Sequence, residues 1–198
     1  MDNRELVFDL MKNNNGILEA EKASKFGINN KTLQRLHNSG EIERIEHGMY
    51  IDPNFIEDEY LITQYRCKKG IYSHETALFF HDLVDRIPFK LMLTIPSGYN
   101  TRLLKERSKY KFFYANEQLY NLGKADLFSP YGNKINVYNI ERTICDCIKK
   151  KEQLDTDLVS TAIKRYMTDS KADYVKLLKY ADILKVRKIV KQYLEVLS

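Results

Sequence analysis

The stretch 17–51 leaves little freedom in what the start of this chain can become. Residues 19–25 read as a short helix, Gly27-Ile28 as a tight turn, and residues 29–37 as a second helix opened by Asn29, whose side chain can accept from free first-turn amides. Gly40 stands where a left-handed residue closes that helix. Two short alternating runs, 41–45 and 49–51, then flank the turn Glu46-His47-Gly48. Two helices about a glycine turn, followed by a hairpin, predict a winged helix-turn-helix.

Within the second helix Leu33 and Leu36 lie three apart and can join Ala23, Phe26 and Ile28 in a small core. That leaves Asn30, Lys31, Gln34 and Arg35 on the open face, with Lys25 and Thr32 beside them. From Ser24 to His37 there are three basic residues and no acid, although residues 1–58 as a whole carry more acids than bases. A positive charge confined to one helical face suits phosphate, and the polar side chains around it suit base edges. Arg44 and His47 flank the predicted wing tip, within reach of a neighbouring phosphate or the minor groove. A winged helix used only for protein contact has the same pattern, because a fold does not fix a function.

A first helix at 4–13, with Leu6, Val7, Leu10 and Met11 on one stripe, is expected to complete that core. After the wing, Asp52-Pro53-Asn54 breaks the pattern, which divides the chain into a DNA-binding domain at 1–55 and a second domain at 59–198. Lacking a low-complexity linker, the two are expected to pack. The second part is the basic one, with 25 basic against 16 acidic residues in 59–198 and a net charge of +5 for all 198 residues. Lys149, Lys150, Lys151, Lys164 and Arg165 are candidates there for additional phosphate contacts.

In that part, helices are expected at 58–67 and from Ser73 or His74 to 83, and strands at 89–95, 110–115, 127–129 and 134–138. Helices follow at 140–151, 154–167, 172–180 and 183–197. The fold class is α+β: a winged helix-turn-helix, then a mixed α+β domain ending in helices. Cys67, Cys145 and Cys147 cannot all pair, and are expected to be reduced. No apolar run approaches a membrane span and the N-terminus lacks a signal-peptide core, which points to the cytoplasm without a membrane partner.

Three stretches together make the chain resemble the AbiEi family of antitoxins from bacterial abortive-infection, type IV toxin-antitoxin systems of phage defence. One is the run with Gly27-Ile28, Leu33, Leu36, Gly40 and Gly48-Met49-Tyr50. The second is Tyr72-Ser73-His74-Glu75-Thr76-Ala77-Leu78 through Asp85 and Pro88 to Leu93-Thr94-Ile95-Pro96. The third is Glu141-Arg142-Thr143-Ile144-Cys145-Asp146. The likeness extends to about Lys150, beyond which the chain matches only in being helical. It implies a winged helix that represses its own operon at inverted repeats in promoter DNA. It further implies a second domain that counters a cognate nucleotidyltransferase toxin without a stable complex.

The residues themselves argue against catalysis. His74-Glu75 with His81 lacks metal-site spacing, and no phosphate-binding glycine loop or nucleophile elbow occurs. Glu141, Arg142 and Asp146 fall near a helix start, where Arg142 pairs naturally with Asp146 one turn on. Tyr110, Tyr114, Tyr120, Tyr131 and Tyr138, among Lys105, Arg107, Lys109 and Lys111, would serve either a half-buried sheet or stacking on single strands. The expectation is a non-enzymatic, cofactor-free and metal-free DNA-binding antitoxin and autorepressor. The alternatives are a stand-alone winged-helix transcriptional regulator and a nucleic-acid-processing enzyme.

Overall fold

In this computed structural model, which describes residues 2–197, the protein is mixed α+β with two separate sheets. Packing divides it into two compact units, Met1–Thr63 with Phe128–Lys134, and Gln64–Leu127 with Ile135–Ser198. The division falls inside a helix rather than in the 52–59 segment, and a loop from late in the chain joins the first unit.

The first unit begins with α1 (Asn3–Lys12), capped by Asp2 and Glu5 in a reciprocal capping box. The strand β1 (Ile17–Glu19) follows, then α2 (Ala20–Lys25), α3 (Asn30–Asn38), and the strands β2 (Glu43–Glu46) and β3 (Met49–Ile51). Strand β1 pairs antiparallel with β3, Ile17 opposite Ile51, and β3 with β2, giving the order β1-β3-β2. The sequence reading placed the helix start at residue 19 and missed β1, because three residues are too few to show alternation. Gly27 (φ 78°) turns α2 into α3, and Gly40 (φ 75°) follows the end of α3. Both use the left-handed region that costs glycine nothing.

Val7, Met11, Leu18, Ala23, Ile28, Leu33, Leu36, Ile42 and Tyr50 form the core of this unit. Each large aliphatic among them contributes about 1.5 to 3 kcal/mol by leaving water. Phe26, expected in that core, is 58% exposed. Asp58 anchors the late loop from a fully buried position. One carboxylate oxygen accepts from the amides of Tyr60 and Leu61, and the other from Ser129 Oγ and Asn133 Nδ2, at 2.5 and 2.9 Å. Asn15 Nδ2 adds a bond to Gly132 O at 2.9 Å.

The unit boundary divides α4 (Glu59–Arg66). Beyond it come β4 (Ile71–Tyr72), α5 (His74–Phe80), β5 (Leu91–Pro96), β6 (Tyr110–Ala115), α6 (Glu117–Asn121), β7 (Lys124–Phe128) and β8 (Lys134–Tyr138). The sheet order is β6-β5-β4-β8-β7, with β5 antiparallel to β4 and parallel to β6. The chain ends in α7 (Ile140–Lys149), α8 (Thr156–Thr168), α9 (Tyr174–Ile183) and α10 (Arg187–Leu197). Leu78 of α5 joins Ile144, Ile148, Ile163, Leu177 and Val190 in one core, so α5 and the last four helices pack as a layer. Helix α5 stops at Phe80 rather than residue 83, since Asp82 turns left-handed at φ 56°. Lys185 (φ 62°) separates α9 from α10 in the same way. No helix among the described residues is long and apolar enough to cross a membrane.

Candidate nucleic-acid interface

The geometry of α3 follows from its first residue outward. Asn29 Oδ1 accepts from the amide and the hydroxyl of Thr32, at 2.9 and 3.1 Å, which fixes where the helix starts. Leu33 and Leu36 then go into the core, and the rotation between residues places Asn30, Lys31, Gln34 and Arg35 in solvent. Lys25, at the end of α2, is also exposed. None of these five side chains has a hydrogen bond or ion pair among the described residues. Thr32 is different, being half-buried and held by the cap. The first turn of α3 holds no acid, so its free amides and positive dipole end face no competing carboxylate of their own.

The surroundings keep that face positive. Glu41, the acid nearest Arg35 in the chain, is bonded to Arg4 and Ser39; those bonds hold its carboxyl below the usual range, with Arg35 adding at a distance. At the hairpin tip Arg44 and His47 are exposed, and Arg44 Nη2 lies 2.7 Å from His47 Nδ1. Arg44 Nε also donates to Glu46 O at 3.3 Å, across an irregularity in β2 that breaks the register between Arg44 and Glu46. The tip thus carries two cation-capable side chains held against each other.

The second unit holds the other predicted phosphate contacts. Lys149 ends α7 and Lys151 follows it, both exposed, with Lys150 half-buried between them. Lys164 is exposed on α8. Arg165 is not free, since its guanidinium grips both carboxylate oxygens of Asp85. The tyrosines expected in the sheet have divided fates. Tyr110 and Tyr138 are buried, whereas Tyr114 is 58% exposed and lines a groove of about 700 Å³ with Phe89, Lys90, Arg107 and Lys111.

The carboxylates that might have suggested catalysis are engaged in ion pairs. Arg142 Nε meets Asp146 Oδ2 at 2.8 Å, as their i,i+4 spacing predicts, and its Nη1 donates to the carbonyls of Leu119 and Leu122. Burial pushes the Asp146 carboxyl up despite the facing Arg142. Glu141 meets Lys176 at 2.7 Å. Glu75 Oε1 accepts from the Asp155 amide at the start of α8. Cys67, Cys145 and Cys147 are buried thiols outside any disulfide, and burial raises all three, Cys145 to about 12. Among the described residues no three His, Cys, Asp or Glu side chains group as a metal would require.

Sequence reasoning missed two polar clusters. One is the Asp58 anchor, whose partners lie more than 70 residues away. The other joins Thr94, Ser73 and His74: Thr94 Oγ1 donates to Ser73 Oγ at 2.9 Å, and Ser73 Oγ lies 2.9 Å from His74 Nδ1. The only signal was the concentration of polar residues in Ser73-His74-Glu75-Thr76, all buried.

No family model and no curated protein matches this chain. Among solved structures it is similar to the crystal structure of the RV2827C protein from Mycobacterium tuberculosis, at 11% identity and a TM-score of 0.51. The match covers 96% of this chain and 79% of that one, and what the two share is a fold.

Proposed function

We propose that residues 1–55 form a winged helix-turn-helix that binds promoter DNA through α3, and that the protein represses its own operon as an antitoxin. The observation that carries the DNA reading is the face of α3. Four polar or cationic side chains, with Lys25 beside them, stand in solvent without intramolecular partners, on a helix fixed from beneath by two buried leucines. In this reading α3 enters the major groove, where Asn30, Gln34 and Arg35 suit base edges and Lys25 and Lys31 suit phosphates. Arg44 and His47 at the wing reach the flanking backbone.

The antitoxin role rests on the resemblance in the three sequence stretches, and assigns the second unit to countering a nucleotidyltransferase toxin without a stable complex. The ion pairs of Glu141 and Asp146 favour this non-enzymatic reading over nucleic-acid processing. A stand-alone regulator would share the DNA-binding half alone.

Footprinting on the DNA upstream of its own gene tests the first half, with protection of an inverted repeat expected. Growth with an induced toxin of the same operon, run beside a promoter reporter, tests the second. Changing Asn30, Lys31, Gln34 and Arg35 together should abolish repression and leave protection from the toxin intact. A folded variant that loses both would mean that neutralisation works through DNA binding.

A further inference from the structure

His74 sits where a histidine is expensive. It opens α5 at φ 52°, a left-handed conformation that costs a non-glycine residue on the order of 1 kcal/mol or more, and it is 3% exposed. Its ring lies against Phe113, centroids 3.5 Å apart and planes 18° from parallel. The proton assignment follows from its neighbours. Thr94 Oγ1 donates to Ser73 Oγ, which lies 2.9 Å from Nδ1; in the tautomer where Ser73 donates on to Nδ1, the neutral ring carries its own proton on Nε2. Nε2 has no hydrogen-bond partner among the described residues, and it is not sealed away from water-sized space either.

The space His74 lines is a cavity of about 60 Å³, with Thr94, Arg142, Asp146, Lys149 and Lys150 as its other polar walls. It belongs wholly to the second unit. Arg142 and Asp146 neutralise each other. Lys149 and Lys150 have no ion pair among the described residues, which leaves the walls with an excess of two positive charges. That space is several times the roughly 10 to 15 Å³ within which a cavity holds a single water, enough for a tetrahedral oxyanion. Exposed Lys149 and the 58% exposed Tyr114 line the same cavity, so it opens to solvent beside an aromatic ring.

We propose that this cavity binds a phosphate group, with His74 Nε2 as a neutral donor in its wall and Lys149 and Lys150 supplying its positive charge. A buried neutral N–H donor held by the fold, with two cationic side chains on the same walls, gives an anion both a directed hydrogen bond and charge, which scattered surface lysines do not. Burial, with Arg142, Lys111 and Lys150 close by, holds the His74 ring well below its usual pKa, so it acts as an N–H donor of fixed protonation rather than as a second cation. This inference is independent of the DNA reading, which concerns other residues in the other unit.

The test is titration of the full chain with inorganic phosphate, followed by calorimetry and by the imidazole nitrogen resonances of its four histidines. Saturable binding should move the His74 signals and leave those of His37 and His47 in place. His74→Asn keeps a residue tolerant of φ 52° and a polar atom near Ser73 but removes Nε2. It and Lys150→Gln should each weaken binding about tenfold or more, while Lys179→Gln, an exposed cation outside the cavity, should not. A nucleoside monophosphate arm separates the sources. Tighter binding lost in Tyr114→Ala would assign a nucleotide phosphate, and equal binding free phosphate. The proposal is overturned if phosphate does not saturate, or if both cavity variants melt as the parent does and bind it equally well.

Discussion

Helices α3 and α7 begin alike and end in opposite circumstances. Each is opened by an asparagine whose Oδ1 accepts from the third amide on, Asn29 from Thr32 at 2.9 Å and Asn139 from Arg142 at 3.1 Å. Each has charged or polar residues at one-turn spacings. In α3 only Leu33 and Leu36 are buried and the charges stand in water, whereas in α7 every residue from Glu141 to Ile148 is buried, charges included. The difference lies in what packs around them. Helix α7 is enclosed by α5, α8 and α9, so each of its polar groups must find a partner inside the protein. One side of α3 is uncovered, and its polar groups remain available to a partner from outside.

The largest effect should come from breaking the enclosed pair. Arg142→Ala leaves the Asp146 carboxylate buried without its guanidinium and should cost about 3 to 5 kcal/mol of stability at neutral pH. The sign of its pH dependence follows from the raised Asp146 pKa. A carboxyl whose folded pKa exceeds the unfolded value binds more protons when folded, so acid stabilises the variant relative to neutral pH. Denaturant melts at about pH 5 and pH 8 should therefore show a smaller deficit at the lower pH. An equal deficit at both would mean that Asp146 gains water or another partner when Arg142 is gone.

The exposed helix should respond in the opposite sense. Lys31→Ala and Arg35→Ala should leave the melting temperature within experimental error, because neither side chain has a hydrogen bond or ion pair to lose among the described residues and the attraction of Arg35 for Glu41 acts only at a distance. Affinity for operator DNA should fall by about 1 to 3 kcal/mol where a base contact is lost, with relaxed sequence preference. Where a phosphate contact is lost, the decline should be uniform across sequences and the salt dependence shallower. Wild-type affinity and salt slope in both variants would remove α3 from the interface and undo the contrast.

Much of α3 was legible in the sequence because everything that shapes it is local: the Asn29 cap, the Leu33-Leu36 stripe, and Gly27 and Gly40 at its ends. The i,i+4 pairing of Arg142 with Asp146 was legible for the same reason. What could not be read depends on distant partners. Asp58 looked like a helix start, and nothing in the spacing shows that it also bonds Ser129 and Asn133 and draws residues 128–134 into the first unit. Arg165 looked like a free cation until Asp85, 80 residues away, proved to hold it. The Thr94-Ser73-His74 chain crosses from β5 to the start of α5 and has no periodic trace at all.

The smallest effect concerns the caps, and it asks whether the same local device has the same worth in both settings. Asn29→Ala removes solvent-facing bonds to one half-buried residue, Thr32, and should cost on the order of 0.5 to 1 kcal/mol, since water replaces what the side chain gave. Asn139 does more, because its Nδ2 also meets the Tyr180 hydroxyl at 3.2 Å and the backbone amide it caps belongs to buried Arg142. Asn139→Ala should therefore cost nearer 2 kcal/mol, the upper end for a cap, because partially buried groups are left unsatisfied. Chemical denaturation of the two variants at one pH measures both. Equal costs would show that the cap's worth is set by the helix start alone, and that enclosure of α7 matters only through its ion pair.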